Sequence, residues 1–169
     1  MKRIALLAAA ALALSGCGLH PLYGGGAGGP VQSTLTAVDV APIDGQAGWL
    51  VSNAIRDRLQ THGEPPRYRL EVRLDDRIAG LGVRSDDSVS RERRSLRARY
   101  QLVDLSTGAV VLDATAGSDA GIDVVGSEYA TIAAEKTALE NLSNIVADQI
   151  IARVARFARS SARTTAPAP

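Results

Sequence analysis

Two neighbouring segments alternate with a period of two, and in both the polar positions are filled mainly by arginine. In the first, Tyr68, Leu70, Val72 and Leu74 take one parity, and Arg67, Arg69, Glu71 and Arg73 the other. In the second, Leu96, Ala98, Tyr100 and Leu102 oppose Arg91, Arg93, Arg97, Arg99 and Gln101. Successive side chains of a strand point to opposite sides, so each segment reads as a half-buried strand, over Arg67–Gly82 and Ser90–Leu105. The run Ser85-Asp86-Asp87-Ser88 between them is turn chemistry, and predicts an antiparallel pair. That pairing puts Arg67, Arg69, Arg73, Arg91, Arg93, Arg97 and Arg99 on one face of a sheet. Like charges directly opposite each other are unfavourable, and the acids of this parity are few, Glu71 and Asp75. The face is therefore a candidate surface for an anionic lipid or for an acidic partner. The competing reading is a solvated sheet face. Glu92 and Arg94 carry the opposite parity.

The remaining elements follow from spacing. Leu35–Ile43 predicts a strand with Val38 and Val40 inward, ended by Pro42, Asp44 and Gly45. Gln46–His62 predicts a helix with Leu50, Ile55 and Leu59 near one stripe and Trp49 beside it, stopped by Gly63, Pro65 and Pro66. Ser106-Thr107-Gly108 is a tight hairpin connection into a strand over Ala109–Ala116. Gly117–Gly126 reads as a polar loop. A long helix follows, with Ser127 as cap, and Ile132, Leu139, Val146, Ile150 and Phe157 on one stripe. Two striped helices must bury themselves on a sheet. The expected fold is α+β: a two-layer sandwich, two helices on one face of a mainly antiparallel four-stranded sheet, in the order β-α-β-β-β-α. This single domain is expected over residues 31–159, with 160–169 a disordered tail.

The amino terminus has a separate logic. Lys2 and Arg3 precede an apolar run, Ile4–Leu14, of eleven residues. A bilayer span needs about 20 residues, so the run reads as a secretory signal peptide, residues 1–16. Leu14-Ser15-Gly16-Cys17 resembles the bacterial lipobox, in which the cysteine thiol accepts diacylglycerol and the new amino terminus is usually acylated as well. Cys17 is the expected lipidation site, and each buried acyl methylene contributes ~0.8 kcal/mol to anchoring. Gly18 is not the aspartate typical of inner-membrane retention, which points to the periplasmic side of the outer membrane. Residues 17–30, rich in glycine, form a tether.

Composition narrows the chemistry. Bases and acids number 19 and 18, a formal charge of +1, so bulk attraction to nucleic acid is not expected. Lys2 and Lys136 are the lysines; the other bases are arginines, whose planar fork pairs bidentately with phosphate and carboxylate. One cysteine excludes an internal disulfide and a cysteine-based zinc cluster. Gly24, Gly26 and Gly29 match GxGxxG in spacing, but no strand is expected before them and no helix after them. His20 and His62 have no nucleophile at recognisable spacing, and no G-x-S-x-G occurs. Asp75-Asp76 and Asp86-Asp87 are neighbours in sequence that an extended chain points apart. No enzyme activity, cofactor or metal is expected.

The run Cys17-Gly18-Leu19-His20-Pro21-Leu22-Tyr23-Gly24 resembles the start of the mature alphaproteobacterial LptE lipoproteins, the lipopolysaccharide-assembly family. So do Tyr100-Gln101-Leu102-Val103-Asp104 with Thr107-Gly108, and Ser127-Glu128-Tyr129-Ala130-Thr131-Ile132-Ala133-Ala134-Glu135. His20 departs from the arginine expected there. The resemblance implies a non-enzymatic lipoprotein that sits in the outer-membrane barrel LptD, plugs it, assists its assembly and binds lipopolysaccharide on its way to the outer leaflet. Two other classes fit the residues themselves: a lipoprotein auxiliary of an ABC-type lipid transporter, and a periplasmic scaffold lipoprotein.

Overall fold

The computed structural model describes residues 29–59, 65–83, 89–124 and 126–165. Cys17, the tether as far as Gly28, His62 and the Ser85–Ser88 turn lie outside the described residues.

The chain enters the fold through a short helix, α1, Pro30–Thr36. A strand was expected from Leu35, and a tether as far as Pro30. Pro30 at the first helical turn has its φ preset for a helix and lacks only an amide that has no partner there. Val31 and Leu35, four residues apart, then share one side and are buried, at 4% and 2% exposed. They pack with the carboxyl-terminal helix α3, Glu128–Thr165. The strand itself, β1, is reduced to Val38–Val40, with Val38 and Val40 inward as expected.

Helix α2, Gly45–Leu59, carries the chain across to β2, Tyr68–Val83. A crossover helix returns the chain in the same direction, so β1 and β2 pair parallel, Val38 opposite Tyr68 and Val40 opposite Leu70. The buried side of α2 is Gly48, Val51, Ser52, Ala54, Ile55 and Leu59; Ile55 and Leu59 are buried as expected, Leu50 is half-buried with Val51 taking the central place, and Trp49 is 65% exposed. Gly48 sits where α2 meets the preceding loop, and a Cβ there would run into the Ile43 carbonyl. Gly48→Ala is therefore expected to destabilise by about 1–3 kcal/mol, by forcing backbone apart. Urea denaturation against Gly45→Ala, which meets nothing but carries its own left-handed φ strain, separates the two effects.

β3, Val89–Asp104, and β4, Val110–Asp123, complete a sheet of order β1-β2-β3-β4, antiparallel apart from the first pair. The order β-α-β-β-β-α holds after α1. In the turn between β3 and β4, Asp104 accepts hydrogen bonds from the amide and hydroxyl of Ser106, at 2.9 and 2.5 Å, and Gly108 takes φ +70°. These bonds hold the Asp104 carboxyl below the usual range. β4 is longer than expected. The segment from Gly117 to Asp123, expected as a loop, continues the strand opposite Arg97–Arg91.

α3 spans 38 residues and runs through Thr165, so residues 160–165 belong to it rather than to a tail. Its first turns are exposed, Ile132 at 55%, and burial begins at Ala138 and Leu139. From there Leu142, Val146, Ala147, Ile150, Val154 and Ala155 cover Leu70, Leu96, Ala98, Tyr100 and Leu102 in one core. Tyr68 meets Phe157 edge to face, ring centroids 6.1 Å apart. Arg58 of α2 ties the helices together through Asp148, 2.5 Å away. Among the described residues no helix is long and apolar enough to cross a membrane.

Candidate functional site: the open sheet face

Burial of one strand parity under the helices leaves the other parity on an open face. The β2–β3 register sets Arg69 opposite Val103, Glu71 opposite Gln101, Arg73 opposite Arg99, Asp75 opposite Arg97, and Arg77 opposite Ser95. The β3–β4 register adds Asp123 beside Arg91, Asp119 beside Ser95 and Asp113 beside Gln101. β4 thus delivers three carboxylates to the arginines, two of them, Asp119 and Asp123, from the half expected as a loop.

The result is a laced surface rather than an uncompensated one. Arg91 meets Asp123 at 3.0 Å, Arg97 meets Asp119 at 2.7 Å, and Arg99 meets Asp113 at 3.1 Å. Arg77, which the sequence reading passed over, holds Asp75 at 2.9 Å. Gln101 also donates to Asp113 and Ser95 to Asp119, at 2.9 and 2.5 Å. Arg97 reaches Asp119 by lying flat across Gly117, where a Cβ would stand 2.5 Å from the arginine Cδ. Exposed pairs of this kind contribute about 0–1 kcal/mol each, so they orient side chains more than they stabilise the fold.

The seven predicted arginines therefore separate into three groups. Arg91, Arg97 and Arg99 are held by aspartates. Arg67 is turned away from the face: its guanidinium lies 5.1 Å above the Tyr68 ring and 3.6 Å from Asp104, both of buried parity. Arg69, Arg73 and Arg93 make no ion pair among the described residues, and all three are exposed. Arg73 with Glu71, Arg99 and Gln101 lines a shallow cavity on this face. Arg94, of the opposite parity, is committed elsewhere. It grips Asp76 at 2.6 and 2.9 Å and donates to the Glu135 carbonyl of α3 at 2.9 Å. No group of three or more potential metal ligands occurs among the described residues.

The lacing has a pH signature. The Ser95 hydroxyl and the Arg97 guanidinium hold the Asp119 carboxyl below its ordinary value of 3.8, and Arg93 adds to this from further off. Arg99 and then Gln101 do the same for Asp113. A carboxyl depressed in the folded state binds its proton more readily when unfolded. Its contribution is thus complete above the ordinary value and is lost as pH falls through the folded one. Thermal melts of the wild type should fall off below about pH 4. The Asp113→Asn, Asp119→Asn double variant should show a shallower decline over that range, with the two proteins converging at the acid end.

A helix-roofed sheet with one open charged face defines a small two-layer α+β domain, and solved structures of bacterial lipoproteins share it. A candidate lipoprotein of Caulobacter crescentus matches with TM-score 0.64 and 21% identity, over 78% of this chain and 98% of that one. A minor lipoprotein of Acinetobacter baumannii matches at 0.55 and 13% identity, over 70% and 91%. Lipoprotein B of Nitrosomonas europaea matches at 0.56 and 12%, over 79% and 95%. These likenesses show the fold. A sequence comparison with curated proteins finds no significant match. The family model of LptE, lipopolysaccharide-assembly, matches residues 35–154, and the chain belongs to that family. Its role therefore lies in lipopolysaccharide assembly, as a member of a lipoprotein family that is not enzymatic.

Proposed function

We propose that this protein is anchored by acyl chains on Cys17 to the periplasmic side of the outer membrane, where it plugs an LptD-like β-barrel, assists the assembly of that barrel and binds lipopolysaccharide in transit. The observation that carries the reading is the family match over residues 35–154, in a chain whose amino terminus has the lipobox-like run Leu14-Ser15-Gly16-Cys17. The open sheet face is the lipid- or barrel-facing surface. Arg69, Arg73 and Arg93 are its available cations, and the aspartate-held Arg91, Arg97 and Arg99 frame them. A single exposed guanidinium–phosphate contact contributes about 1 kcal/mol at most. Several forks converging on one polyanionic headgroup, shielded by a barrel wall, contribute far more.

The test is a triple variant, Arg69→Gln, Arg73→Gln and Arg93→Gln, assayed for lipopolysaccharide binding and for co-purification with the barrel from outer membranes. Lipid binding should weaken at least tenfold, and what remains should depend less on salt. Loss of barrel co-purification with normal lipid binding would make the face a protein interface. Normal behaviour in both assays would reduce it to a solvated surface.

Anchoring is checked separately. Intact-mass analysis of the protein from membranes should show residues 1–16 gone and acyl mass added at Cys17. Cys17→Ala should release a folded domain from the membrane fraction. A chain that still begins at Met1, unmodified, contradicts this.

A further inference from the structure

The outer edge of β4 and the carboxyl-terminal half of α3 enclose a groove of about 570 Å³ on the opposite side of the sheet from the arginine face. Tyr100, Thr115, Gln149, Arg153 and Arg156 line it. β4 is the last strand of the sheet, so every second residue turns its backbone amide and carbonyl outward, away from β3. Gly117 identifies the outward set. Its N–H donates to Gln149 Oε1 at 3.0 Å, and its carbonyl accepts from Gln149 Nε2 at 3.3 Å. The Gln149 side chain thus pairs with Gly117 as the peptide unit of a neighbouring strand would. By the same alternation, Thr115 and Asp113 turn their amides and carbonyls out into the groove.

The helix continues this pattern with cations. Gln149, Arg153 and Arg156 are four and three residues apart and share a stripe. Four helical residues rise ~6 Å, close to the ~6.8 Å spanned by two residues of strand. Starting from the Gln149–Gly117 contact, the stripe therefore sets Arg153 and Arg156 beside the part of the edge that holds Thr115 and Asp113. Neither arginine makes an ion pair among the described residues, and both are exposed. The Asp113 carboxylate is occupied by Arg99 and Gln101 on the far face. The Tyr100 ring is buried, and its hydroxyl lies within the electrostatic reach of Arg153 and Arg156.

We propose that this groove receives an extended, acidic polypeptide segment of a partner protein, added antiparallel or parallel to β4 as a fifth strand. Main-chain bonds to Thr115 and Asp113 supply affinity, and Arg153 and Arg156 select carboxylate side chains on the added strand. Strand addition in a groove between a sheet edge and a helix is an established mode of peptide recognition. The inference goes beyond the proposed role of the open face, since it uses other arginines on the other side of the sheet.

The test uses the full-length chain in detergent and a fluorescein-labelled heptapeptide of alternating valine and glutamate, read by anisotropy. Binding should be saturable and should weaken at least tenfold in the Arg153→Gln, Arg156→Gln variant. Thr115→Pro removes one outward donor and should weaken it similarly, because proline is tolerated at an edge whose N–H faces out. If that variant does not fold, a pair of N-methylated peptides replaces it: methylation on amides of one parity should abolish binding, and on the other parity should leave it. Equal loss for both parities, or none for either, would overturn strand addition. So would a failure of the peptide to bind while phosphatidylglycerol vesicles bind in an Arg153- and Arg156-dependent way, which would make the groove an anionic-lipid site.

Discussion

Ile150→Ala is expected to lower the stability of the fold by about 2–5 kcal/mol, a loss large enough to unfold a marginal domain. Ile150 is 0% exposed and lies in the part of α3 that covers Leu70, Tyr100 and Leu102. Removing its outer carbons loses their transfer from water and leaves a cavity, because the sheet on one side and α2 on the other hold the walls apart. Leu139→Ala should behave alike. Ile132→Ala, at a position expected from its spacing to be equivalent but 55% exposed, should change stability by less than about 0.5 kcal/mol. Urea unfolding of the three variants decides the matter: equal effects would mean that α3 packs in another rotation.

The second large effect is expected at the ion pair beneath the amino-terminal half of α3. The side chains of Arg94 and Asp76 are 12% and 25% exposed, the most enclosed pair among the described residues. The Asp76 hydrogen bond is the main reason the Arg94 guanidinium clings to its proton more firmly than usual, against the cost of burial. Asp76→Asn leaves an enclosed cation with the Glu135 carbonyl contact and only the weaker pull of the Glu135 charge. The expected cost is about 1–3 kcal/mol, the range for a charged hydrogen bond left unmade. Arg94→Met with Asp76→Leu removes both desolvated charges and should recover most of that loss. A double variant as unstable as Asp76→Asn would show that the pair positions α3 by its geometry and not by its charge.

Some of this was legible in the residues. The parity of β2 and β3 could be read because leucine and tyrosine alternate with arginine, a contrast in size and polarity that no helix period reproduces. The distal half of β4 has the same alternation in a fainter form. Ala114, Ala116, Ser118, Ala120 and Ile122 take the buried parity, and Asp113, Thr115, Gly117, Asp119, Gly121 and Asp123 the open one. Beyond Ala116, small residues on one side and glycines on the other erase the contrast, so Gly117–Asp123 reads as a loop. The even spacing of Asp113, Asp119 and Asp123 was the signal that could have recovered it. α1 was missed for another reason. A seven-residue helix is marginal by itself, and only burial of Val31 and Leu35 beside α3 makes it the favoured state.

The division between sequence and tertiary structure follows from the range of the interactions. A strand period, a helix stripe, a capping serine and a lipobox are local patterns. They are written within a few residues, and on their own they determined the strands β2 and β3, the face of each that is apolar, and where an anchor is expected. The partners of the arginines are not local. Arg99 and Asp113 are 14 residues apart, Arg97 and Asp119 are 22 apart, and Arg91 and Asp123 are 32 apart. Their meeting depends on register, which is set by burying the opposite parity, since a slip of one residue would turn leucine out and arginine in. Tertiary structure alone therefore decided which guanidinium groups are held, which are left available, and that Gln149 and two arginines of α3 flank the open edge of β4.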